Sequence, residues 1–309
     1  MLAVIEVDHL QKRYGAFEAV RDVSFAVEQG EIFGILGPNG AGKTTTLECI
    51  QGLREPDGGS IRLLGLDAVS QRADLRGRIG SQLQDSALPD RLKVWEALDL
   101  FASLSPDGPD WRVLLDQWGL ADKAKTSFAD LSGGQRQRLF IALALVNNPE
   151  VVFLDELTQG LDPAARRVAW DLIRQIREAG TTVVIVTHYM DEAEQLCDRL
   201  AVVAGGEVIA TETPQGLIAN SDRGIQVRFS TQRPDLSWLE SIDCVTGLTR
   251  RGDGVEVTGT GPVLALTAAA LVAHDIIPAD LRAVQPSLED VYLDLIGSGD
   301  EGGTNARVP

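Results

Sequence analysis

Between the apolar stretch Glu31–Leu36 and the helical text of Thr46–Gln51 lies Gly37-Pro38-Asn39-Gly40-Ala41-Gly42-Lys43-Thr44, with Thr45 next in line. A strand, a glycine loop and a helix in immediate succession leave few folds open. The spacing G-x-x-x-x-G-K-[ST] lets consecutive backbone N–H groups turn inward, so that they and the helix N-terminus cradle phosphate oxygens. Lys43 is then placed to reach the β- and γ-phosphates, and Thr44 to put its hydroxyl on Mg²⁺. The bland alternative is a glycine-rich strand–helix turn, and the strand before and helix after argue for phosphate.

A second segment has matching chemistry. Val151-Val152-Phe153-Leu154 is a short apolar run that ends in Asp155-Glu156. A buried strand of this kind delivers Asp155 to its C-terminal edge, where a carboxylate can hold Mg²⁺ through water. Glu156, one step on, can polarise an attacking water as general base. Leu131-Ser132-Gly133-Gly134-Gln135 precedes a helix from Arg136 to about Val146. Ser132 and Gln135 have the spacing of a capping box, S-x-x-Q, and a glycine-opened helix start with a free hydroxyl is equally an anion site.

The rest of the first 220 residues alternates strand and helix. Ala3–Val7 and Val23–Val27 read as strands, as do Val151–Leu154 and Thr181–Val186, with helices over Pro163 to about Ala179 and Met190–Leu200. Continuous apolar strands predict a buried, mainly parallel α/β sheet. A mostly helical stretch from Asp90 to about Val146, with Trp95, Leu98, Phe101 and Leu104 at helical spacing, reads as an insertion. Composition shifts near Asn220–Gly224. Beyond it Ile225–Phe229, Cys244–Thr249 and Gly254–Thr258 read as strands, Arg251–Gly254 as a turn and Pro262–Ala273 as a helix, which together predict a separate α+β module. The expected organisation is a domain over 1–220 with an insertion at about 85–148, a module over 225–297, and a flexible glycine-rich tail over 298–309.

The chain's net charge of −17 over 309 residues argues against nucleic acid or anionic lipid as the main partner, since both demand a basic face. Cys49, Cys197 and Cys244 are far apart and form no C-x-x-C pair, which fits a reducing cytoplasm. The N-terminal residues lack the basic start of a signal peptide, and the longest apolar stretch, Val263–Ala273, is far short of the roughly 20 residues that span a bilayer. No direct membrane span is expected.

Taken in order, these segments resemble the ATP-binding subunits of ABC transporters. The pentapeptide Leu131–Gln135, set between a Walker A loop and a Walker B strand, is similar to that family's signature, and the resemblance covers about Leu2 to Thr213. It implies a P-loop NTPase core of the ABC ATPase type with a helical insertion. It also implies ATP and Mg²⁺ as cofactors, and a nucleotide held between Gly37–Thr45 of one chain and Ser132–Gln135 of a second, identical one. Tyr14 resembles the aromatic that stacks on adenine. Gln84 corresponds to the glutamine that links Mg²⁺ and the attacking water to the insertion, with Gln82 close enough to leave the register open. Asp162, in Gly160-Leu161-Asp162, resembles the aspartate that crosses the dimer interface, and His188 the switch histidine at the γ-phosphate. The family usually carries proline after the catalytic glutamate, where this chain has Leu157, so the geometry of Glu156 is expected to be less pinned.

Pro286-Ser287-Leu288-Glu289-Asp290-Val291-Tyr292, following an α+β module, is similar to the C-terminal part of the drug- and lipid-exporter branch that includes the daunorubicin exporter ATPase. Its alternative is an ordinary helix capped by Ser287. The resemblance implies an exporter ATPase, a separate membrane permease as partner, and a place at the inner face of the cell membrane through that permease. Importer subunits share the core motifs and stay open as a reading. ABC-type ATPases that act on nucleic acid or the ribosome are disfavoured by the single ATPase half, the absence of sustained heptads and the charge.

Overall fold

The computed structural model describes residues 2–83, 86–105, 108–221 and 223–300, with the side chains of 297–300 excepted. The chain divides into two compact units, Met1–Pro214 and Gln215–Pro309.

The first unit opens with β1 (Ala3–Tyr14), β2 (Phe17–Glu28) and β3 (Ile32–Leu36), then α1 (Lys43–Ile50). β4 (Gly58–Leu63), β5 (Leu66–Asp67), α2 (Arg72–Leu75) and β6 (Ile79–Gln82) follow. Next come α3 (Val94–Ser103), α4 (Trp111–Gln117) and α5 (Gly133–Ala144), which with two short 3₁₀ turns make up the predicted helical insertion. β7 (Val151–Asp155), α6 (Pro163–Glu178), β8 (Thr182–Thr187), α7 (Met190–Leu196), β9 (Arg199–Ala204) and β10 (Glu207–Glu212) complete the unit.

The strands form one sheet in the order β5-β4-β1-β2-β10-β9-β3-β8-β7-β6. From β9 to β6 every pairing is parallel. Every residue of β3, β7 and β8 is buried, as expected of strands covered on both faces. The other half departs from the parallel expectation, because β1 pairs antiparallel with both β2 and β4 and β10 antiparallel with β9. In β1 and β2 burial is partial along the strand, so one face packs Ile5, Leu10, Val23 and Val27 into the core while polar residues stay in water.

Two local expectations change. The helix predicted over Met190–Leu200 stops at Leu196, because Cys197 turns to an extended backbone and Arg199–Ala204 is drawn into the sheet beside β3. The Asp198 carboxylate accepts the Ile32 N–H at 2.8 Å and locks that turn to the start of β3. In α3, Leu98 is fully buried but Phe101 and Leu104 face solvent at 36% and 75% exposure, so the predicted stripe is only partly core.

After α8 (Pro214–Ala219), the second unit contains β11 (Ile225–Ser230), β12 (Val245–Arg251), β13 (Gly254–Gly259), α9 (Val263–Ala273), β14 (Arg282–Val284) and α10 (Leu288–Asp300). Its antiparallel sheet runs β12-β13-β11-β14. Val227, Phe229, Leu239, Val257, Val263 and Leu271 form a core of its own. Ser287 caps α10 as its spacing suggests: Asp290 N–H donates to Ser287 Oγ at 3.2 Å, and Ser287 N–H to the Asp290 carboxylate at 3.0 Å. The helix continues through Asp300 and so includes residues 298–300, which composition assigns to a tail; the rest of that expected tail lies outside the described residues.

Candidate functional site

Parallel pairing brings three sequence-distant segments to one sheet edge. β3 lies beside β8 and β8 beside β7, with Leu36 opposite Thr187 and Asp155 opposite Val186. The loop after β3, the carboxylates at the end of β7 and His188 after β8 therefore emerge together at the carboxyl ends of neighbouring strands, where α/β sheets bind ligands.

The loop is built by close backbone approach. A Cβ at Gly37 would come within 2.3 Å of the Val203 carbonyl oxygen, and one at Gly42 within 2.3 Å of that of Ala19. Gly42 also caps α1 at φ +97°. Gly40, at φ +82°, has open space around it, and with Pro38 and Asn39 it forms the exposed rim; Ala41 is buried. Lys43 folds back into the loop, its Nζ donating to the carbonyls of Gly37 at 2.9 Å and Pro38 at 3.0 Å. Burial lowers its pKa, which the nearby Glu156 and Asp155 carboxylates oppose. Thr44 and Thr45, both half-buried, stand in the first turn of α1.

Asp155 is 1% exposed, and among the described residues neither carboxylate oxygen has a partner in hydrogen-bond geometry. Burial pushes its pKa up to about 6, with the neighbouring Thr44 hydroxyl pulling the other way. A buried carboxylate with two unpaired oxygens is costly unless a cation meets it, so the donor set of Asp155 and the Thr44 hydroxyl fits a hard divalent ion.

Glu156 stands at φ +48°, a left-handed conformation uncommon for a residue with a side chain. It is held there from two sides: its N–H donates to the Val186 carbonyl at 2.9 Å, and its Oε1 lies 3.1 Å from His188 Nδ1. Leu157 is itself buried at 3% exposure. With leucine where the family usually has proline, Glu156 is bonded to β8 and to His188.

The remaining candidates fall elsewhere on the first unit. Tyr14, at the end of β1, is 41% exposed, with the Arg54 guanidinium over its ring at 5.2 Å. Ser132 caps α5, its Oγ accepting from Gln135 N–H at 3.4 Å while Gln135 Oε1 accepts the Ser132 N–H at 2.9 Å. That capping box leaves the first-turn amides of Gly133 and Gly134 outside the helix ladder. Asp162 caps α6, with Oδ1 accepting from Ala164 and Ala165 N–H at 2.9 Å each. Gln84 lies outside the described residues. Its neighbour Gln82 is buried at the end of β6, its Nε2 donating to the Leu83 carbonyl. Two residues of the site's surroundings had no sequence signal: Arg54, over the Tyr14 ring, and Glu192, buried four residues after His188.

Residues 20–159 match the family model described as ABC transporter. The chain is 38% identical over 305 residues to daunorubicin resistance ATP-binding protein DrrA3 of Streptomyces coeruleorubidus, covering 95% of this chain and 96% of that protein. It is 40% identical over 304 residues to Nod factor export ATP-binding protein I of Paraburkholderia xenovorans (strain LB400), covering 96% and 97%. Among solved structures, cbiO1 from Clostridium perfringens, part of the ABC transporter complex cbiONQ, superposes with a TM-score of 0.64 at 28% identity, over 71% of this chain and 91% of that one. With the phosphate loop, the carboxylate-ended strand and the histidine gathered at one sheet edge, these likenesses place the chain in the ABC transporter family, as an ATP-binding subunit whose ATP hydrolysis is coupled to transport.

Proposed function

We propose that this chain powers an exporter, closing as a homodimer on two ATP molecules and reopening on hydrolysis, while bound through a separate permease to the cytoplasmic face of the membrane. The observation that carries the export reading is the extent of the likeness: similarity to two ATP-binding proteins named for drug resistance and export runs through the second unit as well as the ATPase core. No helix among the described residues is long and apolar enough to cross a membrane, and the spanning part is assigned to the permease. Leu53, Phe101 and Leu104, exposed along a cleft that Gly80 and Val146 also line, offer that partner an apolar seat.

In the chemistry, the amides of Gly40–Thr44 and the Lys43 ammonium hold the β- and γ-phosphates, with Lys43 exchanging its two loop carbonyls for phosphate oxygens. Tyr14 stacks on the base. Asp155 and Thr44 would hold Mg²⁺, which when bound offsets phosphate charge. Glu156 takes a proton from the attacking water, and His188, bonded to Glu156, orients that carboxylate and contacts the γ-phosphate. Ser132 and the amides of Gly133 and Gly134 from a second copy cap the same phosphate, with Gln135 keeping that helix start in shape and Asp162 near the junction of the copies.

The test is co-expression with any membrane-spanning protein encoded next to this chain. Co-purification, and ATP-driven uptake of daunorubicin or another amphipathic compound into inverted vesicles, supports export. Transport that requires a separate binding protein supports the importer reading.

A further inference from the structure

Glu192 sits in the acidic run Met190-Asp191-Glu192-Ala193-Glu194, which reads as a solvated helix face, yet it is only 2% exposed. Its Oε1 accepts two hydrogen bonds, from Thr158 Oγ1 at 2.8 Å and from Trp170 Nε1 at 3.1 Å. The three residues belong to three segments. Thr158 is fully buried two residues after Glu156, Trp170 is on α6, and Glu192 is on α7, four residues after His188. The same face of α6 grips the start of α7 again: Arg166 pairs with Asp191 at 3.0 Å and lays its guanidinium over the Tyr189 ring at 4.4 Å, and that ring lies 4.2 Å from the His188 ring.

A buried carboxylate is a costly way to fill space, since well-packed apolar side chains generally do as well for stability. What a doubly bonded carboxylate adds is a fixed register. Glu156 needs one, because its left-handed backbone persists only where the surroundings over-determine it. We infer that Glu192 is a positioning residue for hydrolysis: by tying the loop after Glu156 to the helix after His188 across α6, it holds the Glu156–His188 pair in its working geometry. This rests on the reading that Glu156 and His188 act at the γ-phosphate.

The experiment uses the full-length chain with Glu192→Leu, Glu192→Gln, Thr158→Val and Thr158→Ser, measuring kcat with Mg-ATP, the Kd of a fluorescent ATP analogue, and thermal unfolding. Glu192→Leu should lower kcat about 10- to 100-fold, the scale set by small displacements of reacting groups, with Kd changed less than about twofold. Glu192→Gln keeps an accepting oxygen and should recover most of kcat. Thr158→Val should act in the same direction and add little on top of Glu192→Leu, which already removes the bond from Thr158 along with that from Trp170. Wild-type kcat in Glu192→Leu and Thr158→Val overturns the inference. So does a loss of ATP affinity that parallels the loss of kcat, or a loss that glutamine fails to recover. If Glu192→Leu does not fold, the threonine decides: a fall with valine that serine restores supports the inference, and equal activity overturns it. Failure of the underlying reading shows separately, as near wild-type turnover in Glu156→Gln.

Discussion

Glu156 Oε1 and His188 Nδ1 stand 3.1 Å apart, although 32 residues separate them in the chain. They come from the ends of β7 and β8, two adjacent parallel strands, so each is carried by a rigid element. Replacing Glu156 by Gln removes the proton acceptor and leaves the phosphate cradle. Turnover is expected to fall about 100-fold or more, the usual contribution of a positioned base, while ATP binding persists and an ATP-bound dimer accumulates on size-exclusion chromatography. Near wild-type hydrolysis would remove Glu156 from the role.

Lys43 makes its two hydrogen bonds to loop carbonyls, so Lys43→Ala acts on both ligand and loop. Nucleotide affinity and turnover should both drop sharply. Unfolding stability should fall by about 1–3 kcal/mol through the unsatisfied carbonyls. Equilibrium titration with a fluorescent ATP analogue, beside a urea denaturation series, separates the two.

Two glycines of one loop should respond differently to the same substitution. Gly42→Ala drives a Cβ against the Ala19 carbonyl at a φ of +97°, and the loop must move, so ATP binding should be lost. Gly40→Ala meets open space and has only its φ of +82° to accommodate, at a cost of about 1–2 kcal/mol, with ATP still bound. Equal loss of binding in both variants would contradict the packing argument.

Both Asp155 oxygens are buried and, among the described residues, meet no partner in hydrogen-bond geometry, with the Thr44 hydroxyl close by, which fits a divalent ion. Asp155→Asn should weaken Mg²⁺ affinity, raising the Mg²⁺ concentration needed for half-maximal hydrolysis about tenfold or more. EDTA should abolish turnover of the unsubstituted chain. An unchanged Mg²⁺ titration would place the ion on other ligands.

The second unit has its own core around Val227, Phe229 and Val257, and none of the candidate nucleotide residues falls in it. A chain ending at Asn220 is expected to bind ATP with similar affinity and to lose dimer or permease association, seen as failure to co-purify with the permease. A folded truncation that no longer binds ATP would show that the accessory module supports the nucleotide site.

Local geometry was readable in the chain itself. The loop Gly37–Thr44, the run Val151–Glu156 and the capping box Ser132–Gln135 are each contiguous, so apolar runs, glycine geometry and cap spacing act over a few residues and leave their mark in the text. Tertiary structure decided what depends on residues far apart. The antiparallel half of the sheet, β4, β5 and β10 with it, arises from pairings such as Val7 with Ile61 and Val208 with Val203, and alternating strands do not declare their partners. The left-handed Glu156 is held by Val186 and His188 across a strand pair, which no local proline rule could convey. Glu192 makes the same point most plainly. In sequence it is one acid among several on a short helix, and only the packing of α6 and the loop at Thr158 around it turns a residue suited to water into a buried acceptor of two hydrogen bonds.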